Sequence, residues 1–337
     1  KLIKLINLVI LSSLVFVIIF EFVTERSKLS NILSFYGLIL IIYLNYLTLK
    51  RNKKYLENFL NSWKTFSLYL SLAAIISFLF HQFTIFNIDI LNFETSSTFK
   101  ANYNYRMSIF GFTIEKNFGF VSVARVCSFL NEPQYAGTFF LFNILIAKTY
   151  KDNFSKKFIA INLIAGLLTF SITFYLAYFF LFLFSFKKDI YYLLIILLFL
   201  IFFYYFDIHI YITDYLYNKS SLGDRLDRDI EGLKRLKDMS LVNFIIGNGL
   251  MGYTKLQADD FDRYIASGYL NLFYEFGIII LIFLIIKIFL NFYKNHNIIL
   301  ILLIYMFAYP IYKYYFFWHF IVFIILYDKK NFIQKFI

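Results

Sequence analysis

Three arginines close together in sequence, Arg225, Arg228 and Arg235, are the side chains best suited to chemistry in this chain. They lie in residues 220–238 (SSLGDRLDRDIEGLKRLKD), where apolar positions recur at helical spacing. At roughly 100° per residue, Leu222, Leu226, Ile230, Leu233 and Leu236 form one stripe. The arginines share a separate arc about 80° wide, with the small Gly232 between them. Asp224, Asp227, Glu231 and Asp238 take a third side. A guanidinium presents a fixed fork of donors and keeps its charge, so three in one arc suit a diphosphate. The same residues also read as a solvated interfacial helix whose arginines snorkel or pair with nearby acids. Across residues 207–266, eight Lys/Arg stand against ten Asp/Glu, so any attraction for an anion is local.

A second stretch, Arg125-Val-Cys-Ser-Phe-Leu-Asn-Glu132-Pro133-Gln-Tyr-Ala-Gly137, puts an arginine and a carboxylate at the mouth of an expected helix. Pro133 suits the first turn of that helix. Its free N–H groups attract anions, and Arg125 adds to such a site. Glu132 is either the cap of the helix or a general base. A charge beside a membrane entrance needs a partner, which singles out Arg125. His319 stands in an aromatic run and reads as a packed, hydrogen-bonded core histidine. The Asp227-Arg-Asp229 and Asp260-Phe-Asp262 triplets resemble metal-binding pairs, but acidic loops produce such triplets by chance, so no metal is expected. Gly247-Asn-Gly249 lacks the strand and dinucleotide-binding unit of a nucleotide fingerprint and reads as a tight turn ending the loop's helical section.

These residues have to be held by membrane helices. The chain is 61% hydrophobic and only 16% charged, against about 25% charged in soluble domains, and apolar runs of about 20 residues recur along it. The expectation is an all-α, polytopic membrane domain over residues 1–337. The net charge of +12 reports topology and not nucleic acid binding. One cysteine, Cys127, excludes an internal disulfide. Expected spans are 5–23, 31–49, 63–86, 134–147, a hairpin of two short helices over 158–186, 190–206, 268–286, 297–309 and 312–327. The hairpin rests on parity, because a break near Ser171 puts every Lys-rich short turn on one side. That makes about ten spans, and the positive-inside rule makes the Lys-rich side, with both termini, cytoplasmic. Two extracytoplasmic loops follow, residues 87–125 and 207–266. Residues 119–130 are apolar but too short to cross, and read as re-entrant or as a lip on the bundle. The chain opens on Lys1 without Met, so upstream sequence is expected, and 5–23 reads as a retained span and not a signal peptide.

With this topology the residues resemble the bacterial O-antigen and capsule repeat-unit polymerases (Wzy type), within the wider group that includes the O-antigen ligases. The resemblance rests on Arg125 through Pro133, on Gly223-Asp-Arg225 followed by Ile246-Gly247-Asn248-Gly249, and on Ser267-Gly268-Tyr269-Leu270-Asn271…Glu275-Phe276-Gly277. Leu168-Thr169-Phe170-Ser171 is similar to the family's mid-hairpin signature, without the arginine that often follows. Arg125 to Gly137 and Arg235 to Gly247 are both separated by eleven residues, one more than the family's usual spacing. Whether Arg225, Arg228 or Arg235 partners Arg125 stays open.

The resemblance implies a GT-C-like bundle in the bacterial inner membrane. A growing glycan would pass from polyprenyl diphosphate to a lipid-linked repeat unit on the extracytoplasmic face. Implied partners are these two lipid-linked oligosaccharides, membrane lipids, a chain-length regulator and a flippase, with no cofactor and no nucleic acid. Arg125 and Arg225, with Arg228 or Arg235, would bind the donor diphosphate; Glu132, and after it Asp224, would be the base; Tyr253 and Tyr264 would stack on sugars. An O-antigen ligase is the first alternative, although the ligases' histidine is replaced here by Ser267-Gly268-Tyr269. A lipid-linked sugar transporter is the second.

Overall fold

A computed structural model describes residues 29–83, 91–96, 102–108, 110–118, 121–130, 132–183, 230, 232–234, 236–249, 268–292, 298, 301–302, 304–306 and 315–334. Most of them are helical. The helices are α1 (Leu29–Arg51), α2 (Lys53–Phe83), α3 (Pro133–Thr149), α4 (Lys156–Leu167), α5 (Ile172–Leu183), α6 (Leu241–Ile246), α7 (Gly268–Phe292) and α8 (Tyr315–Gln334). Two of these, over Lys54–Phe83 and Gly268–Ile286, are long and apolar enough to cross a membrane. The expected spans at 5–23 and 190–206 lie outside the described residues. The chain divides into two compact units, residues 37–178 with 312–337, and residues 1–36 with 179–311.

In the first unit, α3 is buried along almost its whole length. A helix apolar on every side belongs in the middle of a bundle. Its polar residues are paired. Asn143 Nδ2 donates to Asn162 Oδ1 of α4 (2.9 Å), and Ser71 Oγ of α2 donates to the same oxygen (3.0 Å). Trp63 Nε1 donates to Asn143 Oδ1 (3.0 Å), and Asn162 Nδ2 returns to the Phe158 carbonyl (2.9 Å). Three helices are therefore joined through one satisfied network, which suits a setting without water. On the other side α8 packs through Phe320, stacked on Phe142 at 4.1 Å between centroids. His319 is buried and lies against the rings of Phe59 and Trp63, the packed core position its aromatic surroundings suggest.

The expected hairpin region holds two helices. Helix α4 ends at Leu167, a turn covers 168–170, and α5 starts at Ile172. Phe170 adopts φ 46°, the left-handed region that stops a helix.

The expectation of an all-α chain needs correction between residues 91 and 128. There the chain forms a four-stranded antiparallel meander, β1 (Leu91–Ser96), β2 (Asn102–Ser108), β3 (Gly111–Phe118) and β4 (Val121–Ser128), in the order β1-β2-β3-β4. Register runs from Leu91↔Met107 to Ser96↔Asn102 in the first pair. In the last pair Ile114 faces Arg125, with an irregularity at Phe112/Thr113. The segment 119–130, expected to be re-entrant or a lip, is thus largely the strand β4. The cause is visible in LNFETS, NYNYRMS and GFTIE, which alternate with period two as strands do. Gly111 closes the β2–β3 turn with φ 121°, where a Cβ would stand 2.7 Å from the Ser128 carbonyl oxygen. The end of α2 anchors the sheet: Gln82 Oε1 accepts from Ala124 N (2.9 Å), and His81 Nδ1 meets Thr113 Oγ1.

In the second unit, α6 packs on α7 through Phe244 and Phe273, edge to face at 5.0 Å. The described residues between 230 and 237 are helical. Leu236 of the expected apolar stripe is buried against Tyr274, whereas Ile230 and Leu233 are exposed. Helix α7 is not continuous, since Gly277 sits inside it at φ 75° and ψ 178°.

Candidate functional site

Arg125 is carried on β4 and reaches the break between α4 and α5. Its Nε donates to the Thr169 carbonyl and its Nη2 to the Phe170 carbonyl, both at 3.2 Å. The neighbouring carbonyls have partners too. Val126 N donates to Leu168 O (3.2 Å), and the Tyr175 hydroxyl donates to Leu167 O (2.7 Å). Each carbonyl from Leu167 to Phe170 therefore has a donor from β4 or α5. A helix end leaves such carbonyls without intrahelical partners, and a cation there is favoured by the helix dipole. The anchor for Arg125 is this carbonyl end of α4, which its sequence position before α3 did not indicate.

Glu132 occupies the N-cap position of α3 in extended conformation (φ −142°, ψ 151°). Its side chain makes no capping hydrogen bond and instead accepts from Gln134 Nε2 at 2.7 Å. Of the two readings of Glu132, side-chain capping is not the one observed. Cys127, two residues beyond Arg125 on β4, feels both groups. Burial pushes its thiol well above the ordinary range, Arg125 opposes that shift, and Glu132 adds to it. A fixed guanidinium and a carboxylate thus act on one buried point at the mouth of α3.

Gly137 completes this cluster. A Cβ there would stand 3.1 Å from Phe174 Cβ and 3.2 Å from Thr169 Oγ1, so α3 lies close against the break. The Arg125–Gly137 stretch and the Leu168–Ser171 stretch, far apart in sequence, form one local structure.

The second unit repeats the device with other residues. Helix α6 is capped by Ser240 and ends at Gly247, whose N–H donates to Asn243 O (2.7 Å). Asn248 N then donates to Tyr274 O (2.9 Å) and Gly249 N to Glu275 O (3.0 Å), the carbonyls released where α7 breaks at Gly277. Gly247 has φ 85° and lies against the Glu275 backbone; Gly277 has φ 75° and lies against the Ile245 backbone. Neither position has room for a side chain. The expected tight turn at Gly247–Gly249 is present, and it docks on the Glu275–Gly277 stretch of the following helix. Glu275 is fully buried at this junction.

Asp224, Arg225, Arg228, Arg235, Tyr253 and Tyr264 lie outside the described residues, as do both Asp-x-Asp triplets. Sequence reasoning gave no role to Tyr175 or Gln134. Their signal was weak, because each acts through one side-chain hydrogen bond, Tyr175 to the Leu167 carbonyl across the turn and Gln134 to the Glu132 carboxylate. No protein family, curated protein or solved structure matches the chain.

Proposed function

We propose that this protein is a membrane glycosyltransferase of the repeat-unit polymerase kind. The donor is a growing glycan on polyprenyl diphosphate, and the acceptor is a lipid-linked repeat unit at the extracytoplasmic face of a bacterial inner membrane. The observation that carries this reading is the fixed charge of Arg125, bonded to Thr169 O and Phe170 O and acting, as the Glu132 carboxylate also does, on the buried Cys127 thiol. A diphosphate leaves readily when its developing charge meets a preorganised cation, since no reorganisation is then needed as the bond to the anomeric carbon breaks. Arg125 supplies that charge together with Arg225, assisted by Arg228 or Arg235. Glu132 takes the proton of the acceptor hydroxyl, with Asp224 the second candidate.

The pairing of Arg125–Gly137 with Leu168–Ser171, and of Gly247–Gly249 with Glu275–Gly277, supports the reading further. Each pairing joins stretches that separately resemble the polymerases.

Purified protein supplied with a polyprenyl-diphosphate repeat unit should lengthen the glycan without other proteins. Arg125→Ala, recovered from the membrane with a wild-type elution profile, should not. Near-normal polymer from that variant overturns the assignment of Arg125. Absence of lengthening by the wild-type chain overturns the polymerase reading.

A further inference from the structure

Helices α1 and α2 are separated by the single residue Asn52, whose Oδ1 accepts from Lys54 N (2.9 Å) and starts the second helix. The basic cluster Lys50, Arg51, Lys53 and Lys54 flanks this elbow, and Glu57 is the one acid between residues 37 and 62. Lys50 and Lys54 are exposed, and Lys50 Nζ lies 5.9 Å above the Tyr46 ring.

Below the elbow the two helices enclose an open recess of about 330 Å³, to which Asn45, Thr48, Tyr55, Asn58 and Ser62 contribute polar groups. Outside it the same helices expose Leu40, Ile41, Leu44 and Phe66, a surface suited to acyl chains. The depth is informative. At about 1.5 Å per residue, Asn58 lies roughly 9 Å below the elbow along α2, near the base of a headgroup layer, and Ser62 roughly 15 Å below it, at the top of the acyl region. Amides and hydroxyls at these depths match ester carbonyls and glycerol oxygens, and the cations above match a phosphate.

We infer that this elbow is a binding site for one anionic phospholipid, its phosphate held by Lys50 and Lys54 and its glycerol region seated against Asn58 and Ser62. A basic turn alone attracts anionic lipid without selecting a position. The recess turns that attraction into a site, with the lipid bracing the two arms of the elbow. This inference rests on neither Arg125 nor the proposed glycosyl transfer.

The full chain, purified in mild detergent, would be mixed with phosphatidylglycerol or phosphatidylcholine and examined by native mass spectrometry. One phosphatidylglycerol should be retained per chain, in preference to phosphatidylcholine. Lys50→Ala with Lys54→Ala should weaken retention by about tenfold, and leaves Arg51 and Lys53 to set topology. Asn58→Leu with Ser62→Leu keeps every cation and should also lose the bound lipid. Both residues are exposed, so the core is unaffected. Lys156→Ala with Lys157→Ala, at another exposed basic turn, should retain it. Equal retention of the two lipids, unchanged retention in the Asn58/Ser62 variant, or equal loss in the Lys156/Lys157 variant would each overturn the inference.

Discussion

Arg125 gives two of its five N–H groups to carbonyl oxygens, so its role depends on shape as well as charge. Lysine keeps the charge but has no fork to serve Thr169 and Phe170 together. Arg125→Lys should therefore lose elongation almost as fully as Arg125→Ala. Losing charge-assisted hydrogen bonds of this type costs about 1.5–3 kcal/mol, which should appear as a lower midpoint in a thermal melt. Cys127 offers a second check at this scale. Its folded thiol titrates above the ordinary value, so the unfolded chain gives up that proton first. The stability it contributes is present below the ordinary thiol range, about pH 8.5, and falls as pH rises through it. A maleimide reagent at pH 8 should leave Cys127 unlabelled in the folded protein and label it after denaturation. Arg125 and Glu132 were legible in the sequence because charges beside an apolar span are conspicuous. Their partners were not. Thr169 and Phe170 are selected by how β4 lies against the α4–α5 turn, and no local spacing encodes that.

The elements were readable where pattern and length agreed. Pro133 marked the start of α3, and Ser171 with the Lys-rich turns marked the division of residues 158–186. Three strands were legible in the period-two alternation of LNFETS, NYNYRMS and GFTIE; β4 was obscured because residues 119–130 are mostly apolar, which conceals alternation. The break in α7 was hidden differently, since a helix apolar all round accepts a glycine without changing its pattern. Two measurements address this level. Asn162 accepts from both Ser71 and Asn143 inside the bundle; Ser71 keeps the Ser67 carbonyl as an acceptor, so Asn162→Leu strands the buried Asn143 amide. A loss of about 1–3 kcal/mol for that group should lower the unfolding midpoint in detergent. Gly247→Ala and Gly277→Ala each force a methyl into backbone at positive φ, and each should cost about 1–3 kcal/mol or more. The Gly37→Ala control, inside α1 with nothing within 4 Å, should be neutral or stabilising by up to about 1 kcal/mol.

At the scale of the whole molecule, the described residues are mostly helical, and among them two helices are long and apolar enough to cross a bilayer. The basic turns at 50–54 and 148–157 predict a common cytoplasmic side. A cysteine introduced at Lys54 or Lys157, in a chain lacking Cys127, should resist an impermeant thiol reagent in intact cells and react once the membrane is opened. Labelling of either in intact cells would reverse the orientation. The interlock of Gly247 with Glu275 and of Gly277 with Ile245 also bears on biogenesis. The ribosome makes the Ile245–Gly249 strip before the helix it caps, and the carbonyls of Tyr274 and Glu275 find their donors only on that strip. The carbonyls around the Gly277 break are therefore satisfied only once that earlier strip has docked, so a strip that docks late or wrongly would leave bare polar backbone in an apolar helix, a mark that quality-control proteases recognise.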